Sequence, residues 1–185
     1  MNQSIANILK TVEEETKDPA LPKSIAFGPT ALTHIRRLTE TGGSIITDTS
    51  LLANDINTNL LGNKGARVMS FIDDPGVVSL AAQRRITRAE VAVDYGLAVP
   101  GPKLLVIGSA PAAINRIIQR RQREPMSEVC VLAAPNAFAS AVQIKERLLE
   151  SGITSIVVRG KKGGIPATVA LLNAILLEIS EHPNP

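Results

Sequence analysis

Aromatic side chains are nearly missing from this chain of 185 residues, which has no Trp, one Tyr and three Phe. Proteins that bind single-stranded nucleic acids stack bases on aromatic rings, so this class is disfavoured. The formal net charge is only +3, and the basic residues are spread along the sequence. Because a DNA-binding face needs clustered cations, we expect no nucleic-acid partner.

Cysteine, histidine and long apolar runs are also scarce. Cys130 is the only cysteine, which excludes an internal disulfide and a Cys-based zinc site, and its apolar neighbours favour a buried strand residue. The two histidines, His34 and His182, form no metal-binding pair in the sequence. No apolar run reaches the roughly 20 residues of a membrane span, and the first ten residues lack the order of a signal peptide. We therefore expect a cytoplasmic protein with no metal and no membrane partner.

Apolar segments and helical segments alternate along the chain. Five apolar segments are predicted as strands, at residues 44–47, 67–72, 103–107, 128–133 and 155–158. Helices are predicted at residues 4–16, 29–41, 51–60, 74–97 (as one helix or two), 112–123, 136–151 and 166–179. This alternation predicts one domain over residues 1–185, with a three-layer α/β/α, Rossmann-like fold around a five-stranded, mostly parallel sheet.

The stretch at residues 103–118 is the centre of this prediction. It begins with an unbroken apolar run, which is typical of a strand buried on both faces of a parallel sheet. Gly108 allows a tight turn, Ser109 can cap the helix that follows, and Pro111 suits its first turn. Ligands bind at the carboxyl ends of parallel strands, so we expect the free backbone N–H groups of this turn to face a ligand.

Two other strand ends carry charged side chains. Asp48 follows the first predicted strand and is interpreted either as a cap of the next helix or as a polar contact in a site. Arg159, Lys161 and Lys162 follow the fifth strand, where they form either an anion site or a solvated loop. The dinucleotide-binding and P-loop patterns are absent, so no nucleotide is implied.

Several motifs occur in an order and spacing that cover nearly the whole chain. They are IITD at 45–48 followed by LLANDI, the pair Thr87-Arg88, VIGSAPAA at 106–113, APNAFASA at 134–141 with Lys145, and GKKGG at 160–164 with NAI at 173–175. The opening SIAN at 4–7 adds a weaker match. Together these motifs resemble the precorrin-8X methylmutases, the isomerases of cobalamin biosynthesis.

The resemblance implies a homodimer that holds a tetrapyrrole near the subunit interface and moves a methyl group between neighbouring ring carbons without a cofactor. The carboxylates of such a substrate suit Arg and Lys partners. By the same resemblance the substrate-binding residues are Ser4, Asp48, Thr87, Arg88, Ser109, Ala110, Pro111, Phe138, Lys145, Lys162, Gly163 and Gly164.

The family's proton-donating histidine lies between the first helix and the next conserved stretch. Here residues 18–24 occupy that interval and contain no histidine, while His34 falls in the next helix. No catalytic residue is therefore assigned, and the chain is expected to be a divergent member. Three functions remain open: an isomerase with another proton donor or with solvent in that role, an inactive tetrapyrrole-binding or carrier protein, and a dimeric interaction module.

Overall fold

The structure is a computed structural model that describes residues 3–136 and 139–183. Within these ranges the strands are β1 (Ile25–Phe27), β2 (Ser44–Thr47), β3 (Arg67–Ser70), β4 (Lys103–Ile107), β5 (Val129–Ala133) and β6 (Ser155–Val158). The helices are α1 (Gln3–Thr16), α2 (Ala31–Thr41), α3 (Ser50–Asp55), α4 (Pro75–Arg84), α5 (Arg88–Ala98), α6 (Pro111–Arg121), α7 (Ala139–Glu150) and α8 (Ile165–Glu181).

The sheet has the strand order β1-β6-β5-β4-β2-β3. All five predicted strands are present and pair in parallel, which confirms the mostly parallel α/β prediction. The count of five was one too few, because β1 joins the sheet antiparallel to β6, with Ile25 opposite Val158. Three residues are too few to give an apolar period, so β1 leaves no recognisable pattern in the sequence.

Helices cover both faces of the sheet, as the three-layer prediction requires. Leu104 and Val106 of β4 face the layer that contains α1, α2, α3 and α8. Leu105 and Ile107 point the other way, into the layer of α5, α6 and α7, and α4 packs outside α5. Because both faces are covered, every residue of β4 is buried, and its sequence is apolar without alternation.

The predicted helical segment at 74–97 divides into two helices. Arg85 adopts a left-handed conformation with φ of 56° and ends α4. Thr87 and Glu90 then form a capping box that begins α5, since the Thr87 hydroxyl accepts the Glu90 N–H at 3.2 Å and the Glu90 carboxylate accepts the Thr87 N–H at 2.9 Å. A helix-ending residue, Arg85, and a helix-starting capping box at Thr87 therefore separate α4 from α5.

The single cysteine and the lack of long apolar runs both have counterparts in the fold. Cys130 lies in β5 with no exposed surface, and burial raises the pKa of its thiol to about 12. Its interpretation as a buried strand residue is confirmed. Among the described residues, no helix is both long and apolar enough to cross a bilayer.

The carboxyl ends of β2 to β6 lie along one edge of the sheet. From β2 the chain moves outward to β3, but from β4 it moves the opposite way to β5 and β6. The direction of winding therefore changes between β2 and β4, the place where open α/β sheets usually bind ligands. This carboxyl edge carries most of the residues predicted to bind substrate.

Candidate functional site

The crevice between β2 and β4 is filled by a carboxylate of the protein itself. Asp48 follows β2 directly, and its side chain is only 4% exposed. It accepts the backbone N–H groups of Gly108 at 3.1 Å, Ser109 at 2.8 Å and Ala110 at 2.8 Å. The expectation that these N–H groups are free to face a ligand is therefore wrong.

The helix caps near this crevice differ from the sequence predictions. Asp48 does not cap the next helix, because the hydroxyl of Thr49 accepts the N–H of Leu52 at 3.1 Å and caps α3. Ser109 does not cap α6 either, since Ala110 occupies the N-cap position and no side chain bonds there. Pro111 is the first residue of α6, as predicted. The Asp48 carboxylate instead binds the turn that precedes α6.

Two opposing effects act on the protonation of Asp48. Its burial raises the pKa of the carboxyl group, because a charge loses its hydration there. The three backbone N–H groups stabilise the ionised form and lower the pKa. Burial is the larger effect, and the pKa of Asp48 lies above its ordinary value.

Gly108 is required by a close approach between helix and turn. A Cβ atom at this position would lie 2.9 Å from Oγ1 of Thr168 in α8 and 3.4 Å from a methyl group of Leu52. Its φ is not positive, so the expected role in a tight turn does not explain the glycine. The first turns of α8 pack directly on the crevice that Asp48 closes.

An open cavity of about 590 Å³ lies beside the ends of β5 and β6. Its walls come from the end of α1 with the segment that follows, the turns after β5 and β6, and the start of α8. The lining residues include Thr16, Asp18, Leu21, Asn136, Lys162, Gly163, Pro166 and Ala170. Two predicted substrate-binding residues, Lys162 and Gly163, therefore line a cavity.

Two of the three cations after β6 have carboxylate partners. Nζ of Lys162 lies 2.5 Å from Oδ2 of Asp18, and this contact lowers the pKa of Asp18. Arg159 makes two hydrogen bonds, at 3.0 and 2.8 Å, with the carboxylate of Glu146. Lys161 is exposed to solvent. A ligand carboxylate at this turn would compete with Asp18 for Lys162.

Lys145 lies beneath the cavity, with no exposed surface. Its Nζ donates hydrogen bonds to the carbonyl oxygens of Pro135 at 3.2 Å and Lys162 at 3.1 Å. Burial lowers the pKa of this ammonium group. The lysine therefore joins the two turns that wall the cavity. Its burial can be read in the sequence, because it lies on the apolar stripe of α7 formed by Ala141, Ile144 and Leu148.

The glycine pair after β6 has a backbone that other residues rarely adopt. Gly163 has φ of 140° and Gly164 has φ of 97°. The N–H of Gly164 donates to the carbonyl of Ala134 at 2.6 Å, and a Cβ atom on Gly163 would overlap that same carbonyl. This turn thus packs tightly against the end of β5.

A second group of predicted residues lies at the start of α5. The Thr87 hydroxyl donates to the Glu90 carboxylate at 2.8 Å and is engaged in the capping box. Arg88 is half exposed, and its Nη1 lies 3.7 Å from Oδ1 of Asp73. Asp73 also accepts the hydroxyl of Ser50 at 2.6 Å. Arg88 is therefore a cation at the β3 end of the carboxyl edge.

Among the described residues, predicted residue Ser4 is not brought into these groups. Ser4 lies near the start of α1, whereas the cavity contacts Glu15 and Thr16 at its end. At 1.5 Å per residue, Ser4 is about 18 Å from that end. Phe138 lies outside the described residues.

Both histidines lie away from the carboxyl edge. Nε2 of His34 is 3.2 Å from the carbonyl oxygen of Lys103, at the amino end of β4, and burial lowers the pKa of its ring. His182 follows α8, which begins at the carboxyl edge and ends at the opposite one. His34 is thus a packed side chain, as its helical context favoured.

A three-layer domain with a cavity at the carboxyl ends of parallel strands is typical of enzymes that bind small molecules. Residues 1–178 match the family model for precorrin-8X methylmutase. The chain belongs to this family.

Relatives and solved structures agree with this assignment. The chain is 34% identical to a cobalt-precorrin-8 methylmutase of Salmonella typhimurium over 138 residues, which is 74% of this chain and 64% of that protein. It is 28% identical to a protein of the same name from Methanothermobacter thermautotrophicus, over 91% of this chain and 78% of the relative. A solved precorrin-8x methyl mutase from Thermus thermophilus has the same fold, with a TM-score of 0.87 and 23% identity over 98% of this chain and 87% of the other.

Proposed function

We propose that this chain is an isomerase of cobalamin biosynthesis that moves a methyl group within a precorrin-8-type tetrapyrrole. The observation that carries the proposal is the family match over residues 1–178. The names of the Salmonella and Methanothermobacter relatives support it. Because the match spans 64% of the Salmonella protein's length, the substrate and the activity require direct tests.

We place the tetrapyrrole along the carboxyl edge. The cavity of about 590 Å³ is within the range of roughly 300–1,000 Å³ that is typical of small-molecule sites. Lys162 follows β6 and Arg88 lies near the end of β3, so four strand spacings, about 19 Å, separate the two groups of predicted residues. In this proposal the ring enters the cavity at Lys162, and its outer carboxylates extend along the edge toward Arg88.

The charged residues on this edge suit the carboxylates of such a substrate. Lys162 and Lys161 stand on one side, and Arg88 stands on the other. Pro166 and Ala170 at the start of α8 give the cavity an apolar wall against which a ring face can pack. In this arrangement Lys145 fixes the two turns that wall the cavity, and Asp48 fixes the turn after β4. Both side chains position backbone groups and do not contact the substrate themselves.

We assign the role of proton donor to Asp18, in the segment where the resemblance locates the family's histidine. While paired with Lys162, Asp18 stays ionised and has no proton to donate, because the contact lowers its pKa. A substrate carboxylate that displaces it from Lys162 removes the cation and brings a like charge, and both changes raise the pKa. With substrate bound, Asp18 would take up a proton from solvent and then pass it to the ring.

Replacement of Asp18 tests this assignment. We expect Asp18→Asn to lower turnover at least about 100-fold, the usual contribution of a general acid, while affinity stays equal or increases because Lys162 is freed. Glu146→Gln, which frees Arg159 at the same edge, is the matched control and should leave turnover unchanged. Full turnover in Asp18→Asn would assign the proton to solvent.

The central experiment is a spectral titration. We expect a visible absorption shift when the protein is mixed with precorrin-8 or with hydrogenobyrinic acid, and conversion of precorrin-8 to that product. Parallel samples with and without cobalt in the ring would identify the preferred substrate. Conversion should survive His34→Ala. Binding without conversion would favour the carrier function, and no binding to either compound would refute both.

The resemblance also suggests a homodimer in the cytoplasm, and we include both in the proposal. A partner subunit would cover the open side of the cavity. Light scattering on the purified protein should give twice the mass of 19.6 kDa. A monomeric mass with full activity would show that one chain is sufficient.

A further inference from the structure

A second cavity of about 590 Å³ lies among helices α4, α5 and α6. Both α5 and α6 begin at the carboxyl edge, and the cavity is formed by their later turns, so it lies toward the opposite edge of the sheet. Its charged walls are four arginines and one carboxylate: Arg84, Arg116, Arg120, Arg123 and Asp94. Nothing in the proposed isomerase reaction uses this cavity.

Asp94 holds the arginines in place. Its carboxylate accepts Nε of Arg116 at 3.0 Å and Nη2 at 2.5 Å, which is a two-point contact. Arg120 lies 3.5 Å away through Nε, and Arg84 lies 3.8 Å away through Nη1. The side chains of Asp94 and Arg116 are only 15% and 19% exposed. One partly buried carboxylate thus orders three guanidinium groups that repel one another.

The positive charge of the cavity is only partly offset. Outside its walls, Glu124 pairs with Arg120 at 3.0 Å. The pKa of Arg116 is raised mainly by its hydrogen bonds to Asp94, and Glu90 adds a smaller electrostatic contribution. Arg84 is half exposed, and its 3.8 Å contact is longer than a hydrogen bond. The guanidinium group of Arg123 makes no hydrogen bond or ion pair with residues 3–136 or 139–183. Donors on Arg84 and Arg123 are therefore free to bind an anion.

Arginines near the end of a helix often serve only to offset the helix dipole. Such side chains can spread into solvent, where mutual repulsion is screened. Here four of them line one concave surface around a single carboxylate, with Leu80, Tyr95 and Ala98 as uncharged walls. This arrangement keeps like charges close together. A bound anion would offset their repulsion.

We propose that this cavity binds a small anion with at least two negative charges, either a phosphate compound or a di- or tricarboxylate. Arg116 and Arg120, held by Asp94, form a fixed base. Arg84 and Arg123 close on the anion from the two sides. The planar guanidinium groups match the paired oxygens that phosphates and carboxylates share.

Calorimetric titration of the full chain tests the proposal, with pyrophosphate and citrate as separate probes at low salt. We expect saturable binding of at least one probe, weakened by added NaCl because the interaction is electrostatic. The probe that binds more tightly identifies the anion as phosphate or carboxylate. Absence of saturable binding for both probes would overturn the inference.

Variants locate the binding. Arg84→Gln combined with Arg123→Gln should weaken binding about tenfold or more, since two charge-assisted contacts are removed. The matched control is Arg37→Gln, because Arg37 is equally exposed and pairs with Glu128 outside this cavity. Equal loss in the control, or no loss in the double variant, would refute the site. Thermal unfolding of each variant checks its fold, and hydrogenobyrinic acid binding measured in parallel tests the proposed function separately.

Discussion

The two halves of the carboxyl edge organise their turns with buried charges of opposite sign. At the crevice between β2 and β4, the Asp48 carboxylate accepts three backbone N–H groups. At the cavity beside β5 and β6, the Lys145 ammonium donates to two backbone carbonyl groups. The anionic Asp48 therefore fills the crevice, whereas the cationic Lys145 joins the turns around the cavity and leaves the cavity open.

This difference separates residues that hold the site from residues that can meet a ligand. Asp48 binds the backbone N–H groups of residues 108–110, so these groups are not available to an anionic ligand in the crevice. Lys145 uses acceptors and leaves the outer surface of its turns open, where Lys162 and Gly163 line the cavity. A charged residue at a strand end thus does not by itself indicate a ligand contact.

Removal of the Asp48 carboxylate should have the largest effect. We expect Asp48→Ala to lower the free energy of unfolding by about 3 kcal/mol, because three N–H groups lose a charged acceptor in a buried site. Urea denaturation measures this loss. Asp73→Asn, on the same edge but with a side chain that is 69% exposed, should change stability by less than about 0.5 kcal/mol. A similar small effect for Asp48→Ala would mean that water replaces the carboxylate.

Lys145→Met should cost less, about 2 kcal/mol, since the lost hydrogen bonds are partly offset by the removal of a buried charge. Tetrapyrrole affinity should also fall, because the two turns are no longer joined. Lys161→Met, an exposed lysine in the same turn, is the control for stability. If Lys145→Met kept full affinity, the hydrogen bonds from Lys145 to the two turns would have no role in tetrapyrrole binding.

Gly108→Ala tests the contact that joins the two regions. We expect a loss of about 1 kcal/mol, because the new Cβ atom lies 2.9 Å from Thr168 Oγ1 and one of the two must move. In a Thr168→Ala background the same substitution should cost less, and denaturation of the four proteins gives the coupling. Equal costs in both backgrounds would show that the hydroxyl of Thr168 is not the obstacle, and would leave its Cβ atom and the methyl group of Leu52.

The smallest effect concerns pH. Burial raises the pKa of Asp48, so the folded protein holds this proton more tightly than the unfolded chain, which titrates near pH 3.9. The stability due to the proton is present below that value and is lost as pH rises through the folded pKa. We expect the difference in unfolding free energy between the wild type and Asp48→Asn to fall as the pH rises above about 3.9. The opposite slope would mean that the three N–H bonds outweigh burial.

The sequence was sufficient for the layers of the fold because each helix and most strands carry their own pattern. The run at β4 is apolar throughout since helices cover both of its faces. By contrast β1 consists of three half-buried residues and owes its place to pairing with β6. Local periodicity does not report such pairing.

The site was harder to predict because its main contacts join distant parts of the chain. Asp48 bonds to a turn that begins 60 residues later, and Lys162 pairs with Asp18, which lies 144 residues earlier. No local pattern relates these positions. Lys145 differs, since its place on an apolar helical stripe indicated burial. The substrate-binding roles of these residues stay predictions.

The first turns of α8 have a wider consequence. Thr168 lies over Gly108, and its hydroxyl donates to the carbonyl of Gly164, the residue that begins the helix next to the cavity. Any shift of this helix end therefore changes the crevice and the cavity together. Mutations that reshape the cavity for another ligand are best confined to wall residues away from this helix end, such as Thr16 and Leu21. There the lining can change while the first turns of α8 keep their geometry.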